Sequence, residues 1–289
     1  MHDAVMSGVI LGGEAVAAGV VTRHELRRWY KNLYRGVYVD KDREVSLRDR
    51  AIGAWLVSRR RAVISGVAAS ALHGAPWVDP DVPIELAGAK CVPQEGLIPR
   101  SERVADDEIT RIAGLPVTTR VRTAFDLGRH LDRPQALARM DALMWNQRFS
   151  RDAVLALAER YPRARGVRQL RELLPLVDCG AESPRESVTR LWLHDAGFPR
   201  PETQIPVLAG TTRPVAWLDM GWRDFMVAVE YDGDHHRKDR KQYVKDIARL
   251  RMLEALGWKV IRVIVEDHPH DWLARVEAAL IDRGGSIAA

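Results

Sequence analysis

The chain has 289 residues, of which 46% are hydrophobic and 29% are charged. These proportions are typical of soluble globular proteins and exclude disordered, collagen-like and coiled-coil chains, while roughly 150 residues per domain favours two compact domains or one large one. Two cysteines, Cys91 and Cys179, are too few for a disulfide framework or a multi-cysteine zinc module and indicate a reducing compartment. Because no apolar run approaches the roughly 20 residues that span a bilayer, we expect a cytoplasmic protein that does not act on membranes.

The net charge of +5 is distributed unevenly along the chain. Residues 180–289 carry 16 basic and 17 acidic side chains, a net charge of −1, so residues 1–179 carry a net charge of +6. A basic surface attracts nucleic acids. We therefore predict that the two parts have different roles, with a domain boundary between Gly180 and Pro184.

The first 45 residues are predicted to form a small basic module. Thr22 and Glu25 have the spacing of a capping box, which predicts a helix beginning at Arg23. Residues 35–39 predict a turn and a β-strand, and a helix followed by a hairpin is typical of a winged-helix-like module. The side chains predicted to contact DNA phosphates from this helix are Arg23, Arg27, Arg28 and Lys31. The alternative is that they form a solvated basic face.

Residues 46–179 are predicted to form an α-rich middle region. Helical patterns cover residues 47–57, 63–73, 118–127, 134–145, 151–160 and 167–174, and strand-like stretches occur at residues 84–86 and 115–117. His73 follows a run of small residues, which is typical of a packed or capping histidine. We expect these helices to form a connecting layer.

The last 110 residues predict an αβββαβ order closed by a further helix. Ser183 and Pro184 are suited to the N-cap and the first helical position, so a helix begins there and runs to about residue 196. Later elements are predicted at residues 203–208, 213–219 and 225–231 (strands, the last two joined by a tight turn at 220–223), 241–256 (helix), 259–265 (strand) and 271–281 (helix). The whole chain is therefore predicted to be a mixed α+β and α/β fold.

Three acidic residues lie at the ends of two of these strands. Asp219 ends the second strand, and Glu230 and Asp232 end the third, where their spacing of two places them on one face. Carboxylates brought together repel each other unless a cation neutralises them, and Mg²⁺ or Mn²⁺ prefers such oxygen ligands. We predict that the three bind a metal that polarises a phosphate and activates water; the alternative is that they pair with nearby basic residues.

Basic residues and histidines follow directly after these acids. A histidine beside a metal can accept a proton from the attacking water, and His236 is the candidate, although a solvated loop histidine is the alternative. Arg237 and Lys238 are candidates for holding the phosphate backbone. A phosphodiester hydrolase is the chemistry that this combination favours.

The same region resembles a known family. The runs S-P-R-E-x-x-x-x-L at 183–191, L-D at 218–219, V-E-Y-D-G-D-H-H-R at 229–237 and K-D-I-A-R-L-R-M-L-E-A-L-G-W-K-V-I-R-V at 245–263 are similar to the very-short-patch-repair-type (Vsr-like) endonucleases of the PD-(D/E)XK superfamily, over roughly residues 182–280. The resemblance implies a restriction-endonuclease-like core in which Asp219 binds metal, Glu230 and Asp232 fill the E-x-K position, Glu186 is the acid of the first helix and His236 is the general base. Asp232 stands where that family has lysine, so a lysine-based mechanism is not expected. Glu186 has an alternative role in an ion pair with Arg190, four residues along the helix.

The front of the chain resembles a second family. V-V-T-R-H-E-L at 20–26, R-G-V-Y-V at 35–39 and A-x-S-A-L-H-G at 68–74 are similar to AbiEi-type antitoxins and transcriptional regulators, whose N-terminal piece is usually a winged helix. Two functions follow: a Mg²⁺-dependent endodeoxyribonuclease with a DNA-docking front, or a non-catalytic DNA-binding regulator that keeps a nuclease-like scaffold. RNA cleavage stays open. The partners considered are DNA, a toxin, a DNA-repair or defence protein, and a second copy of the chain.

Overall fold

The computed structural model describes residues 8–88, 94–210, 212–233 and 240–285, with the backbone alone for residues 240–243. The chain divides into two compact units, Met1–Pro175 and Leu176–Ala289. Among the described residues, no helix is long and apolar enough to cross a membrane. The mixed α/β character predicted from the sequence is confirmed, whereas the finer division into three regions stays a prediction.

The first unit begins with a three-stranded antiparallel sheet, in the order β1-β3-β2, and two short helices. These elements are β1 (Val9–Leu11), α1 (Gly12–Ala17), α2 (Arg23–Trp29), β2 (Tyr30–Tyr34) and β3 (Val37–Asp40). The capping box predicted for α2 is present, because Thr22 Oγ1 accepts from Glu25 N at 3.1 Å and Glu25 Oε2 accepts from Thr22 N at 2.8 Å. One detail is wrong: Tyr30 adopts an extended conformation and ends the helix, so Lys31 lies on β2. The winged-helix assignment stays a prediction.

The middle of the first unit contains a five-stranded mixed sheet in addition to the predicted helices, and two of its strands, β5 and β8, coincide with the predicted strand-like stretches. Its strand order is β6-β5-β4-β8-β7. The elements are α3 (Leu47–Val57), β4 (Val63–Ser65), α4 (Gly66–Leu72), β5 (Ile84–Ala87), β6 (Leu97–Arg100), β7 (Ile109–Ile112), β8 (Leu115–Thr118), α5 (Arg120–His130), α6 (Arg133–Met144), α7 (Arg151–Arg160) and α8 (Val167–Leu173). The predicted helix at 63–73 is therefore a strand and a helix, because the buried β-branched residues Val63 and Ile64 pair with β5 before Gly66 turns the chain at φ +62°.

One hydrophobic core joins the two sheets of the first unit. Val37 and Val39 of the small sheet belong to the same buried cluster as Ile64 and Leu86 of the larger one, and Leu56 of α3 is part of it. Helix α3 begins with a second capping box, formed by Ser46 and Asp49. The basic front and the middle region therefore share buried residues of one hydrophobic cluster.

The second unit shows the predicted αβββαβ order with its closing helix. Its elements are α9 (Pro184–Asp195), β9 (Glu202–Leu208), β10 (Pro214–Trp222), β11 (Val227–Tyr231), α10 (Arg240–Ala255), β12 (Lys259–Val263) and α11 (Pro269–Asp282). The strand order is β12-β11-β10-β9, with β11 and β12 parallel and the other pairs antiparallel. The turn predicted at 220–223 is misplaced: β10 continues to Trp222, which pairs with Val227, and the chain turns at residues 223–226.

Two separate apolar layers cover this sheet. Trp272 of α11 and Leu193 of α9 pack with Val229 in one cluster, and Leu253 of α10 packs with Ala228 in the other. The sheet is therefore the middle layer of an α/β/α sandwich. Polar side chains can project into this core only where the apolar packing stops, and the predicted acids lie at such a place.

Candidate functional site

An acidic cavity lies at one edge of the sheet in the second unit. Its volume is about 290 Å³. The residues that line it are Asp219, Glu230, Asp232, Asp246, Arg249, Leu250 and Arg262. The structure thus brings the three predicted acids to one cavity. The rest of the lining comes from α10, with Asp246, Arg249 and Leu250, and from β12, with Arg262.

Strand pairing explains why these residues meet. Met220 of β10 lies opposite Val229 of β11, so the next position along each strand places Asp219 across from Glu230. Glu230 in turn lies beside Arg262 in the parallel pairing of β11 with β12. The backbone N–H of Tyr231, the last residue of β11, donates to Asp219 Oδ2 at 2.9 Å, which fixes that carboxylate beside the end of β11 although Asp219 itself lies within β10 rather than at its predicted end.

Arginines neutralise two of the three acids. Arg249 donates two hydrogen bonds to the Glu230 carboxylate, of 2.8 and 2.5 Å, and a third to the Trp217 carbonyl at 2.6 Å. Arg262 forms an ion pair with Asp232. Such forked guanidinium–carboxylate contacts are strong and orient both partners. The idea that basic residues pair with these acids therefore describes Glu230 and Asp232, although the partners come from α10 and β12.

Asp219 has a different electrostatic environment. Burial, together with the charges of Glu186 and Glu230, raises its pKa to about 7. Burial also raises the pKa of Glu186, against the hydrogen bonds that Glu186 receives from the Glu182 backbone and Ser183. A carboxyl group held near other carboxylates binds a proton or another cation more readily than one in water.

The metal-ligand assignment stays a prediction. Among the described residues, the set of three ligand-type side chains whose donor atoms all lie within 4.8 Å of one another is Glu102, Asp126 and His130 in the first unit, and not the predicted Asp219, Glu230 and Asp232. The remaining predicted residues of this site, His236, Arg237 and Lys238, lie outside the described residues.

The cluster in the first unit is a buried charge network. Arg129 Nη2 donates to Asp126 at 2.9 Å and to Glu102 at 3.0 Å, and His130 Nε2 donates to Glu102 at 3.0 Å. Although burial alone would raise the pKa of Glu102, His130 and Arg129 together lower it to about 2. Because a guanidinium already faces both carboxylates, we interpret this cluster as structural rather than as a metal site.

The network continues through Arg122, whose side chain is only 2% exposed. Arg122 pairs with Glu108 and with Asp126, and Tyr161 donates to Glu108 at 2.6 Å. This network was not predicted from the sequence. The signal that was available is the spacing on α5, where Arg122, Asp126 and His130 recur every four residues and therefore share one helical face.

The basic helix α2 lies on the surface and packs through the half-buried Leu26. Arg23, Arg27 and Arg28 are exposed, as predicted for side chains that meet solvent or a phosphate, and α2 buries none of its residues. Arg28 lies over the exposed ring of Trp29 at 4.8 Å. Lys31 differs, because its ammonium group donates to the carbonyls of Lys41 and Arg43 at 2.9 Å each and so ties β2 to the loop after β3.

Two histidines away from the acidic cavity have local structural roles, and the role of His73 is the packing or capping role predicted from the sequence. His73 follows α4 and its Nε2 donates to the Thr118 carbonyl at 2.8 Å, and half-burial lowers its pKa. His268 is the N-cap of α11, where its side chain accepts from the His270 backbone. Both side chains therefore serve local structure.

Two kinds of similarity to known proteins are found, one over a single domain and one over most of the chain. Residues 61–176 match the AbiEi antitoxin C-terminal domain, so the AbiEi-like part of the resemblance is confirmed. Over 245 residues the chain is 32% identical to the uncharacterized protein MT2308 of Mycobacterium tuberculosis (strain CDC 1551 / Oshkosh) and to the uncharacterized protein Rv2248 of Mycobacterium tuberculosis (strain ATCC 25618 / H37Rv), covering 84% of this chain and 86% of each relative. The chain belongs to the same family as these two proteins.

Proposed function

We propose that this protein is a DNA-binding regulator of the AbiEi antitoxin type. The observation that carries the proposal is the match of residues 61–176 to the AbiEi antitoxin C-terminal domain. AbiEi antitoxins bind DNA and are paired with toxins, so the partners expected here are a promoter and a toxin. The exposed arginines of α2 support the DNA-binding part, because arginine contacts phosphate through a fork of N–H donors that stays charged.

Promoter binding tests this proposal directly. We expect the purified chain to shift a fragment carrying its own promoter, with an affinity that falls steeply as salt rises. Replacing Arg23, Arg27 and Arg28 together by alanine should weaken the shift without unfolding α2, since none of these side chains is buried. A matched control replaces the exposed residues Arg223, Arg275 and Arg283 of the second unit by alanine, with the same loss of charge.

The antitoxin role has its own experiment. Co-expression of the chain with the protein encoded beside it should relieve growth arrest caused by that protein alone. Absence of any promoter shift, together with no relief of growth arrest, would contradict the regulator proposal.

We propose a metal-dependent nuclease as the second candidate function, and the acidic cavity is the observation that favours it. Asp219 suits a hard divalent ion, because it offers carboxylate oxygens and pairs with no arginine in the described part of the chain, while burial and the charges of Glu186 and Glu230 raise its pKa. Both Glu230 oxygens accept from Arg249, so Glu230 would bind the ion through the lone pairs that remain. Asp219 and Glu230 would hold Mg²⁺, with Asp232 beside them; when bound, the ion would polarise a phosphate and lower the pKa of water. Arg249 would keep Glu230 oriented towards that ion.

Plasmid nicking separates this candidate from the regulator. Supercoiled plasmid, linear duplex, single-stranded DNA and RNA are incubated with the protein in Mg²⁺, Mn²⁺ or EDTA. The nuclease proposal predicts metal-dependent cleavage that Asp219→Asn abolishes and that Asp224→Asn retains, since Asp224 is an exposed acid in the turn after β10. Equal cleavage by wild type and Asp219→Asn would indicate a contaminant.

A further inference from the structure

A second basic surface lies far along the chain from α2. Residues 160–171, which run from the end of α7 into α8, contain five arginines and no acidic residue. An open cavity of about 500 Å³ lies on this segment, and its charged lining residues are Arg163, Arg168, Arg171 and one acid, Glu172. Like charges close together on an exposed surface repel each other, so a bound anion would stabilise this cluster.

The positive charges of three of these arginines are not neutralised by a strong ion pair within the described residues. Arg163 and Arg165 are exposed, and in the part of the chain that the structure describes their guanidinium groups make no hydrogen bond or ion pair. Arg168 is 93% exposed and pairs with Glu172 on the next turn of α8 at 3.1 Å, which is a contact worth little in water. Arg160 is different, because Asp107 and Glu108 neutralise it.

The backbone that carries these side chains is anchored to α5. Arg129 Nη1 donates to the Arg165 carbonyl at 2.9 Å, and Gln169 donates to the Gly128 and Leu131 carbonyls at 2.9 Å each. Gly166 completes the turn at φ +81°, close to the Arg129 backbone. These contacts hold the loop in place, while the guanidinium groups of its arginines lie in water. A fixed array of cations loses little conformational freedom when it meets a ligand.

We propose that Arg163, Arg165 and Arg168 form a second docking surface for the phosphate backbone of duplex DNA, in addition to α2. This inference rests on the proposed DNA-binding function and deepens it. Duplex is favoured over single strands because the cavity lining holds no aromatic side chain on which a base would stack. The nearby Tyr161 is already engaged, since its hydroxyl donates to Glu108 and its ring lies beside Arg122.

The test measures binding of the full chain to a 30-base-pair duplex, labelled with fluorescein, across a salt series. The variant replaces Arg163, Arg165 and Arg168 by alanine, and the control is the Arg223, Arg275 and Arg283 triple variant. We expect the affinity of the first variant to fall roughly 10- to 100-fold at low salt, and the slope of log affinity against log salt to become shallower by about 2 to 3. Melting curves of both variants should match the wild type, since all six side chains are exposed.

The outcomes distinguish this inference from the function on which it rests. If the variant binds duplex with the affinity and salt slope of the control, while the α2 variant is impaired, the second surface is wrong and the regulator proposal stands. If wild-type protein binds no duplex, the second surface and the DNA-binding part of the regulator proposal both fail. A loss confined to single-stranded DNA or RNA, measured with the same label, would also overturn the assignment to duplex.

Discussion

Single residues in the acidic cavity give the second unit a dependence on pH. The pKa of Asp219 is about 7 in the folded protein and 3.8 for the ordinary group, so the folded state holds this proton over a range in which the unfolded chain has lost it. Stability therefore falls as pH rises from about 4 to 7. At pH 8 in EDTA we expect Asp219→Asn to be more stable than wild type by on the order of 1–3 kcal/mol, at about 1.4 kcal/mol per pKa unit less solvent screening.

Guanidinium denaturation at pH 4 and pH 8 measures this difference. Asp224→Asn is the control, because it removes the same charge from an exposed turn. An Asp219→Asn variant whose advantage is the same at both pH values would show that this carboxyl does not titrate abnormally.

A second residue-scale prediction concerns Arg122 in the buried network of the first unit. Arg122→Met leaves Glu108 and Asp126 buried without this cation, and breaking a buried pair costs about 3–5 kcal/mol. Arg168→Met removes an exposed pair with Glu172 and should cost less than about 1 kcal/mol. Urea denaturation of the two variants compares them; similar losses would mean that the network contributes no more than a surface contact.

At the scale of elements, the turn between α7 and α8 depends on one glycine. A Cβ at Gly166 would lie 2.3 Å from the Arg129 carbonyl oxygen, at φ +81°, whereas one at Gly114, at φ +88°, would meet nothing within 4 Å. Gly114→Ala therefore reports the cost of the backbone conformation alone, about 1 kcal/mol. We expect Gly166→Ala to lose several times more in thermal unfolding, and equal losses would show that the contact with α5 relaxes freely.

Elements with local signals were predictable from the sequence. The capping residues Thr22 and Ser183 fix where α2 and α9 begin, and strand-like runs located the strands of the second unit. Strands β6 and β7 were missed because neither carries a clear apolar alternation. Short strands of this kind form through their neighbours in the sheet, which lie far away in sequence.

The acidic site was predictable only in part for the same reason. Asp219, Glu230 and Asp232 were located because strand ends and a spacing of two are local patterns. Their partners depend on tertiary structure: Arg262 meets the site through the parallel pairing of β11 with β12, and Arg249 reaches Glu230 from α10. Sequence spacing gives the carboxylates, but the charges that balance them come from elements that the fold brings together.

At the scale of the whole molecule, each unit has its own hydrophobic core and its own buried ionisable residue whose substitution should change stability. The first unit packs around Val37, Leu56 and Ile64, and the second around Val229 and Trp272. Units with separate cores tend to unfold as separate cooperative transitions. We therefore expect calorimetry to resolve two unfolding transitions. A substitution in each unit then assigns each transition to its unit.

Arg122→Met should lower only the transition of the first unit, and Asp219→Asn at pH 8 should raise only that of the second. The two effects should add in the double variant, because substitutions that share no partner act independently. A single transition that both variants shift would show that the units unfold together. In that case the basic DNA-docking surfaces and the acidic cavity would belong to one cooperative fold, and a substitution at either would affect the stability of both.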